Sequence, residues 1–515
     1  MTGAEEHPGG PGEEAAWHRL DGRTLVVTAI YLIGWVLAAG GTTAFFLLRG
    51  GVSTTVVLTF VGGPALLIVV GGVLVDLVNW RYEFHRVTDQ RIEKKFDFVF
   101  RTHKSVARDR VRSVDVNANV IYRMLGVARV KVGTGQQDSF GEVVISFDPV
   151  DRTVAEQMRR ELLRKSPEDT EQDDAAPLAR FRWAWLRYAP LSIATPILGA
   201  SAFGAVMQAA EWFSAEAAVI SWVGDLFDGV PLIVMIAALA GIGMVVGSIG
   251  ALALWIELWW SYRLTRESGT LLVRRGLVTS RSLTLEERRL RGIELVEPIG
   301  ARLSGGARLD AVATGLALRA DDQRSDPRTL LPTAPRALAH RVAAAILREP
   351  VNPTEAVQLT GHPPVARRRR LGWAVAAVAG FSGLLALLGA LLTDVLVELA
   401  WISAVLLLPV GIGLALDAYR NLGHGITGGY LVARRGTIRR STVALLRDGV
   451  VGWQVTSSPM QRRVGLVTLT ATTAANHGAY RIPDIGQAQG LAFADTAVPG
   501  LLGQFLESDD DDEVT

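Results

Sequence analysis

The chain has no cysteine among its 515 residues, and only five of its 53 basic residues are lysines. The lack of cysteine excludes disulfides, thiolate metal sites and cysteine nucleophiles. No H-E-x-x-H or G-x-S-x-G pattern occurs, and none of the eight histidines lies in an apolar segment. We therefore expect no catalytic residue, no metal and no cofactor. His424 and His477 each stand alone in a glycine-rich context and are predicted to lie on the surface.

An excess of charge of either sign is also lacking. The 53 basic residues are nearly balanced by 51 acidic ones, and the net charge is only +2. Basic residues interspersed with acidic ones fit nucleic-acid binding poorly. In contrast, 49% of the residues are hydrophobic and the mean hydropathy is +0.26. This composition indicates a membrane protein with substantial soluble parts.

Long apolar runs are abundant. Six segments approach the roughly 20 uncharged residues that a bilayer span needs. They fall into three pairs, at 24–48 with 52–78, 188–210 with 230–256, and 371–392 with 395–416. We predict six spans arranged as three helical hairpins.

The positions of basic residues predict the orientation of these spans. Only Arg49 lies in a loop that joins two paired segments, whereas the loop of the middle pair carries Glu211, Glu216, Asp225 and Asp228. Lysine and arginine stay preferentially on the cytoplasmic side. With arginine so strongly preferred to lysine, we expect a bacterial plasma-membrane protein, with both termini and all long polar stretches in the cytoplasm.

The polar stretches repeat one another. The residues R-V-R-S-V-D-V at 110–116 correspond to R-L-R-G-I-E-L at 289–295 and to G-V-V-G-W-Q-V at 449–455. Such self-similarity at a fixed position after an apolar pair indicates repeated structural units. Alternating apolar and polar residues within each unit predict short antiparallel strands. Amphipathic helices are predicted at 153–165, 335–348 and 493–507.

These patterns define an order of parts along the chain. Each apolar pair is followed by one polar unit, called here modules 1, 2 and 3. The predicted boundaries are a polar tail at 1–23, hairpin 1 at 24–78, module 1 at 79–166, a linker at 167–180, hairpin 2 at 181–257, module 2 at 258–349, a linker at 350–366, hairpin 3 at 367–418, module 3 at 419–507 and an acidic tail at 508–515.

Module 2 carries a recognisable set of motifs. These are Y-R-L-T at Tyr262, L-L-V-R-R-G-L at Leu271, R-L-R-G-I-E-L at Arg289 and A-V-A-T-G at Ala311. Together they resemble the second family of bacterial PH-like domains, which includes large membrane proteins with repeated modules. The resemblance implies that each module is a PH-like roll, in which two antiparallel sheets are capped by a C-terminal helix. It also makes a smaller homologue with one module a plausible partner.

Basic residues next to the membrane are the candidate contacts for lipid or for a partner. They comprise three pairs at matched positions and one run before the fifth segment: Lys94, Lys95, Arg274, Arg275, Arg434, Arg435, Arg367, Arg368, Arg369 and Arg370. Near an anionic leaflet each would contribute about 1 kcal/mol. Alternatively, the pairs are solvent-facing strand positions that discourage edge pairing, and the run only sets topology.

Charged residues inside the apolar segments lie near their ends. Asp417, at the end of the sixth segment, is predicted to reach water or to pair with Arg420. A charged residue at the midplane of a span is the usual mark of a transport site. Since no charge lies near any midplane, the sequence gives little support to an ion-coupled transporter.

The fold class predicted is an α+β membrane protein of three transmembrane hairpins, each followed by a cytoplasmic PH-like roll. We expect a non-enzymatic protein whose modules mediate protein interaction or assembly at the bilayer, with a one-module homologue or another copy of itself as partner. Two alternatives stay open at this point. One is a transport or export component for a small molecule or peptide, and the other is an array that senses anionic lipid.

Overall fold

The computed structural model describes residues 17–19, 21–88, 90–97, 101–108, 111, 113–138, 141–163, 177–267, 269–314, 328–474 and 478–501. The chain forms two compact units. Unit 1 comprises Met1–Asp174, Glu267–Arg274 and Val278–Glu286, and unit 2 comprises Ala175–Arg266, Arg275–Leu277 and Glu287–Thr515.

The helices include five long apolar ones and several short ones. Their bounds are α1 Thr24–Arg49, α2 Thr54–Tyr82 with a π-helical turn at Leu58–Gly62, α3 Val120–Met124, α4 Arg152–Leu163, α5 Ala194–Trp212, α6 Glu216–Leu226, α7 Leu232–Trp259, α8 Ile299–Leu303, α9 Arg336–Leu347, α10 Pro353–Ala356, α11 Pro364–Leu392, α12 Asp394–Arg420, α13 Pro459–Arg462 and α14 Gln487–Ala497.

The strands are short and pair antiparallel. Their bounds are β1 His18–Arg19, β2 Glu83–Val87, β3 Arg91–Asp97, β4 Arg101–Ala107, β5 Ser113–Ala118, β6 Val127–Asp138, β7 Gly141–Asp151, β8 Ala179–Arg180, β9 Arg263–Glu267, β10 Thr270–Arg275, β11 Ser280–Glu286, β12 Leu290–Pro298, β13 Gly306–Ala313, β14 Thr329–Pro335, β15 Gly423–Thr427, β16 Tyr430–Arg435, β17 Arg439–Leu446, β18 Val450–Thr456, β19 Leu466–Thr473 and β20 Ala479–Gly486.

In the described part of the chain, five helices are long and apolar enough to cross a membrane, namely α1, α2, α7, α11 and α12. Their apolar side chains are largely exposed, as Leu37 on α1 and Leu391 on α11 illustrate. Exposed apolar surface of this extent indicates association with a membrane.

Five of the six predicted spans coincide with these long apolar helices among the described residues. The segment at 188–210 differs, because a 3₁₀ turn at Trp183–Tyr188 precedes α5, which is too weakly apolar over its 19 residues to count among the long apolar helices. The physical reason is its composition, since α5 mixes Thr, Ser, Gln and Glu with alanines.

Helices α5 and α7 nevertheless pack closely through glycine. A Cβ atom built on Gly199 would overlap the backbone of Gly243, and one built on Gly247 would overlap the carbonyl oxygen of Thr195. Small residues at such a crossing let two helix backbones approach each other.

The substitution Gly247→Ala is therefore expected to force α5 and α7 apart and to destabilise the full-length protein by about 1–3 kcal/mol, the usual cost of overpacking. Thermal unfolding in detergent would measure this loss. Gly241→Ala is the matched control, because nothing lies within 4 Å of a Cβ built there. Equal melting temperatures for the two variants would contradict the packing role.

Over the residues that the structure describes, each module has six strands in two groups of three, followed by a helix. In module 3, β15–β17 form one group, β18–β20 form a separate sheet in the order β18-β19-β20, and α14 follows. Several antiparallel sheets therefore accompany the apolar helices, as predicted. The last predicted helix was misplaced, however, because α14 covers Gln487–Ala497 and not 493–507, of which 502–507 lie outside the described residues.

The sheets do not stop at module boundaries. In unit 2, β14-β13-β12 of module 2 continue into β17-β16-β15 of module 3 as one six-stranded sheet. In unit 1, β11 of module 2 pairs antiparallel with β5 of module 1. Thus the fourth strand of one module pairs with the third strand of the next module. The sequence repeat did not predict this pairing.

Both junctions use the same register. Leu295 of β12 lies opposite Thr442 of β17, and Val116 of β5 lies opposite Ser282 of β11. Val116 and Leu295 are the last residues of the repeated heptapeptide. Ser282 and Thr442 each follow eight residues after the first arginine of their basic pair. The junction is therefore a repeated feature of the fold and not a single accident of packing.

Candidate functional site

The basic pair of module 1 is used in local ion pairs. The Nζ atom of Lys94 lies 2.6 Å from a carboxylate oxygen of Glu83 and donates a hydrogen bond to the carbonyl oxygen of Ser146 at 3.0 Å. The Nζ atom of Lys95 lies 3.0 Å from a carboxylate oxygen of Asp97. Successive side chains on a strand point to opposite faces, so the two lysines serve different neighbours.

The pair of module 2 divides in the same way. Within unit 1, the guanidinium of Arg274 lies 3.6 Å from a carboxylate oxygen of Glu156 on α4. Within unit 2, Arg275 is buried, and its guanidinium carbon lies 4.1 Å from the ring centre of Trp259 at the end of α7. This cation–π contact fixes the strand to the end of the apolar helix.

The pair of module 3 is partly buried. Burial lowers the pKa of Arg434, whose Nε atom has no hydrogen-bond partner among the described residues. Burial also lowers the pKa of Arg435; the charge of Glu294 opposes this effect, while Arg481 and Arg439 lower the pKa further. Positive charge is thus crowded around Arg435.

A cavity of about 410 Å³ opens beside Arg435 within unit 2. It lies where β12, β16, β17 and β20 meet the start of α11. Its lining consists of Glu294, Arg328, Arg370, Arg435, Gly436, Arg439, Ser441, Ala479, Tyr480 and Pro483. Four of these residues are arginines and one is a glutamate, so the cavity is strongly basic.

The run of four arginines before the fifth apolar segment has two different environments. Arg367 and Arg368 are exposed, whereas Arg369 and Arg370 are partly buried against module 3. Both of the latter pair with Asp484 on β20. The inner half of the run therefore joins α11 to module 3, in addition to any effect on topology.

Asp484 is the centre of this junction. Its carboxylate accepts hydrogen bonds from Arg369, from Arg370 at 3.0 and 3.2 Å, and from the Gln461 side-chain amide at 3.0 Å. The residue is 2% exposed and has a left-handed φ of 63°. Aspartate tolerates that conformation better than most residues do. No local pattern in the sequence indicates this role, because the partners of Asp484 lie more than twenty residues away.

Two buried histidines extend the polar junction. The carbonyl oxygen of Asp484 lies 3.0 Å from Nδ1 of His362, and Nε2 of His362 lies 3.2 Å from Nδ1 of His424. With both rings neutral, each Nδ1–H donates, to the carbonyl and to the ring nitrogen respectively. The His424 ring also contacts Phe493 edge-on, with ring centres 4.6 Å apart.

His424 was predicted to lie on the surface. That prediction was wrong, since the residue is only 3% exposed. Burial, with a contribution from the neighbouring His362, lowers the pKa of His424 to about 4. Burial likewise lowers the pKa of His362. The flanking glycines let the 358–360 segment pack close to His424, since a Cβ on Gly425 would lie 2.8 Å from the carbonyl oxygen of Gln358. His477 lies outside the described residues.

The carboxylate at the end of α12 makes a second link. Asp417 accepts hydrogen bonds from Arg302 at 2.8 Å, from Thr437 at 2.6 Å and from Asn421 at 2.8 Å. The predicted partner Arg420 is replaced by Arg302, which belongs to module 2. Asp417 therefore connects the apolar helix to two modules.

The described residues include no group of three or more histidine, aspartate or glutamate side chains that could hold a metal ion. The polar clusters above consist of ion pairs and hydrogen bonds that join helices to sheets. Paired six-stranded modules, joined to long apolar helices by arginine–carboxylate contacts, define a class of membrane-associated proteins with repeated PH-like β-modules.

Comparison with known families agrees with this class. The family described as "Bacterial PH domain" matches residues 28–166 and 376–496, about half of the chain. The chain belongs to this bacterial PH domain family. The first matched region covers most of α1, all of α2 and module 1. The second covers the larger part of α11, all of α12 and most of module 3. No curated protein and no solved structure is significantly similar to the chain.

Proposed function

We propose that the chain is a non-enzymatic protein of the bacterial plasma membrane, anchored by three helical hairpins, whose cytoplasmic PH-like modules assemble proteins by extending β-sheets. The family, the five long apolar helices and the paired sheets support this proposal. The single observation that carries it is the repeated junction in which the fourth strand of one module pairs with the third strand of the next.

The last module leaves the corresponding strand at a sheet edge. Strand β18 of module 3 is equivalent to β5 and β12, and it ends the sheet β18-β19-β20 among the described residues. Val455 of β18 is 42% exposed, whereas the equivalent Leu295 of β12 is 2% exposed. An uncharged edge strand with exposed valines is a template for pairing with another strand.

A glycine at this edge is consistent with the same use. In the junction between modules 2 and 3, a Cβ on Gly292 would overlap the carbonyl oxygen of Ala444 on the neighbouring strand. The equivalent residue in β18 is Gly452, whose Cβ would meet only the Thr472 side chain at 3.2 Å. Module 3 thus keeps the residue that makes room for a neighbouring strand.

The partner that best fits this edge is strand β4 of a second copy of the chain. Strand β4 is the third strand of module 1 and ends the sheet β1-β2-β3-β4 in the described part of unit 1. It is exposed at His103, Lys104 and Ser105, where the equivalent residues of β17 are buried. Basic residues also begin β17, so they do not prevent pairing of this strand type.

The two existing junctions predict the register of the new one. Lys104 lies opposite Lys94 in its hairpin, as Thr442 lies opposite Arg434, so Lys104 is the equivalent of Thr442. Val455 is the equivalent of Leu295. Val455 of one copy should therefore lie opposite Lys104 of the next, and Gln454 opposite Ser105.

The absence of cysteine makes this register directly testable. Differently tagged copies that carry Gln454→Cys and Ser105→Cys would be expressed together and oxidised in intact membranes. We expect a disulfide-linked dimer that contains both tags, because directly opposed Cα atoms lie within the reach of a disulfide.

Gln454→Cys with Arg101→Cys is the matched control, since a shift of four residues separates the Cα atoms by about 13 Å along the strand. A chain that carries both Gln454→Cys and Ser105→Cys tests closure within one molecule. A disulfide formed only inside that chain would contradict assembly between copies. Equal dimer yields from the control and test pairs would contradict the register.

Amine cross-linking of the unmodified protein in membranes tests the broader function separately. We expect adducts above the monomer mass that link module residues to another polypeptide. If such adducts form while the cysteine pairs fail, assembly stands and the β18–β4 contact is wrong. If only links within one chain are found, the assembly function itself is wrong.

A further inference from the structure

The arginine-lined cavity of unit 2 has a charge surplus that its own acidic residues do not balance. Arg370 is held by Asp484, and the guanidinium of Arg439 lies 3.6 Å from Asp310 and 3.9 Å from Glu294. Arg435 makes no ion pair with any described residue, although it lies beside Arg439 and Arg481. A partly buried guanidinium without a counter-ion is unfavourable, and a bound anion would offset that cost.

The chemistry of the lining selects one kind of anion. Arginine presents a planar fork of N–H donors that matches the oxygen atoms of phosphate and carboxylate groups. Several arginines converging on one space suit a group with three accessible oxygens better than a planar carboxylate. The volume of about 410 Å³ falls within the range of small-ligand sites.

The position of the cavity relative to α11 indicates the source of the phosphate. Arg370 lines the cavity and immediately precedes Leu371, where the uncharged apolar stretch of α11 begins. A residue at this boundary lies at the depth of the polar headgroups when the helix spans a bilayer. Phospholipid headgroups therefore have direct access to that depth.

We infer that the cavity bounded by Arg370, Arg435 and Arg439 binds a phosphate-bearing anion, with the headgroup of an anionic phospholipid as its source. The free guanidinium of Arg435 contacts the phosphate, while Arg370 and Arg439, which their carboxylate partners hold in place, complete the positive wall. Binding here ties module 3 to the membrane surface and does not depend on sheet extension.

The test uses the full-length protein in neutral detergent, titrated separately with phosphatidylglycerol, phosphatidylcholine and inorganic phosphate, with bound ligand counted by native mass spectrometry. We expect Arg435→Gln to weaken phosphatidylglycerol binding roughly tenfold, because the variant loses a charge-assisted hydrogen bond to the phosphate. Arg435→Lys keeps the charge, loses the fork and should give an intermediate loss.

Arg367→Gln is the matched control, because Arg367 is an exposed arginine on the same helix end and does not line the cavity. It should change binding less than about twofold, as expected for an exposed charge near the surface. Arg435-dependent binding of phosphatidylglycerol alone identifies the lipid as the source. Arg435-dependent binding of inorganic phosphate alone keeps the phosphate site but overturns the lipid source. Equal binding by wild type and Arg435→Gln, or none by wild type, overturns the site.

Discussion

Replacing Asp484 by asparagine is expected to destabilise the protein by about 3–5 kcal/mol, the cost of removing one partner from a buried ion pair. The substitution keeps the volume of the side chain and a residue type that accepts the left-handed φ of 63°. What it removes is the charge that compensates the partly buried guanidinium groups of Arg369 and Arg370. The loss should therefore reflect electrostatics and not backbone strain.

Thermal unfolding of the full-length protein in detergent, followed by tryptophan fluorescence, would measure this effect. Asp448→Asn is the matched control, because Asp448 is an exposed aspartate in the same module. The double variant Asp484→Asn with Arg369→Gln should be less unstable than the sum of the two single losses, since each removes the other's partner. Additive losses would contradict the ion-pair junction.

Acidification from pH 6.5 to pH 4 is expected to cost about 3 kcal/mol of stability through His424 alone. Burial lowers the pKa of His424 to about 4 in the folded protein, against an ordinary value of about 6.5. In that window the unfolded chain takes up a proton that the folded chain excludes. Stability is therefore complete above pH 6.5 and is lost as the pH falls toward 4.

The His424→Phe variant provides the comparison, because an aromatic ring preserves the edge-on contact with Phe493 and cannot be protonated. Its free energy of unfolding should fall less steeply between pH 6.5 and pH 4 than that of the wild type. His362, whose pKa is lowered in the same direction, would account for part of the remaining slope. Parallel slopes for the two proteins would show that His424 does not set the pH dependence.

The apolar helices and the repeated modules could be predicted because their signals are local. A run of about 20 uncharged residues determines a span by itself, and strand alternation is visible within eight residues. The predicted span at 188–210 was not confirmed, for a related reason. Its alanine-rich composition with Ser, Thr, Gln and Glu is intermediate between that of an apolar span and that of a helix packed inside a protein. Only the structure shows that this helix packs against α7.

The candidate site was predicted only in part. Arg370 and Arg435 were singled out as basic residues near the membrane, and the structure places both on the wall of one cavity. The residues equivalent to Arg435 in modules 1 and 2 make local contacts instead, Lys95 with Asp97 and Arg275 with Trp259. Identical positions in a repeat share a backbone environment but not the neighbours contributed by other parts of the chain.

The family, the apolar helices and the repeated modules could be inferred from the sequence, since each depends on patterns within a few dozen residues. Only the packed structure shows that sheets run from one module into the next and that Asp484 pairs with the two inner arginines of α11. These contacts join residues more than 100 positions apart. Their formation depends on which surfaces meet when the modules pack, and no local periodicity encodes that choice.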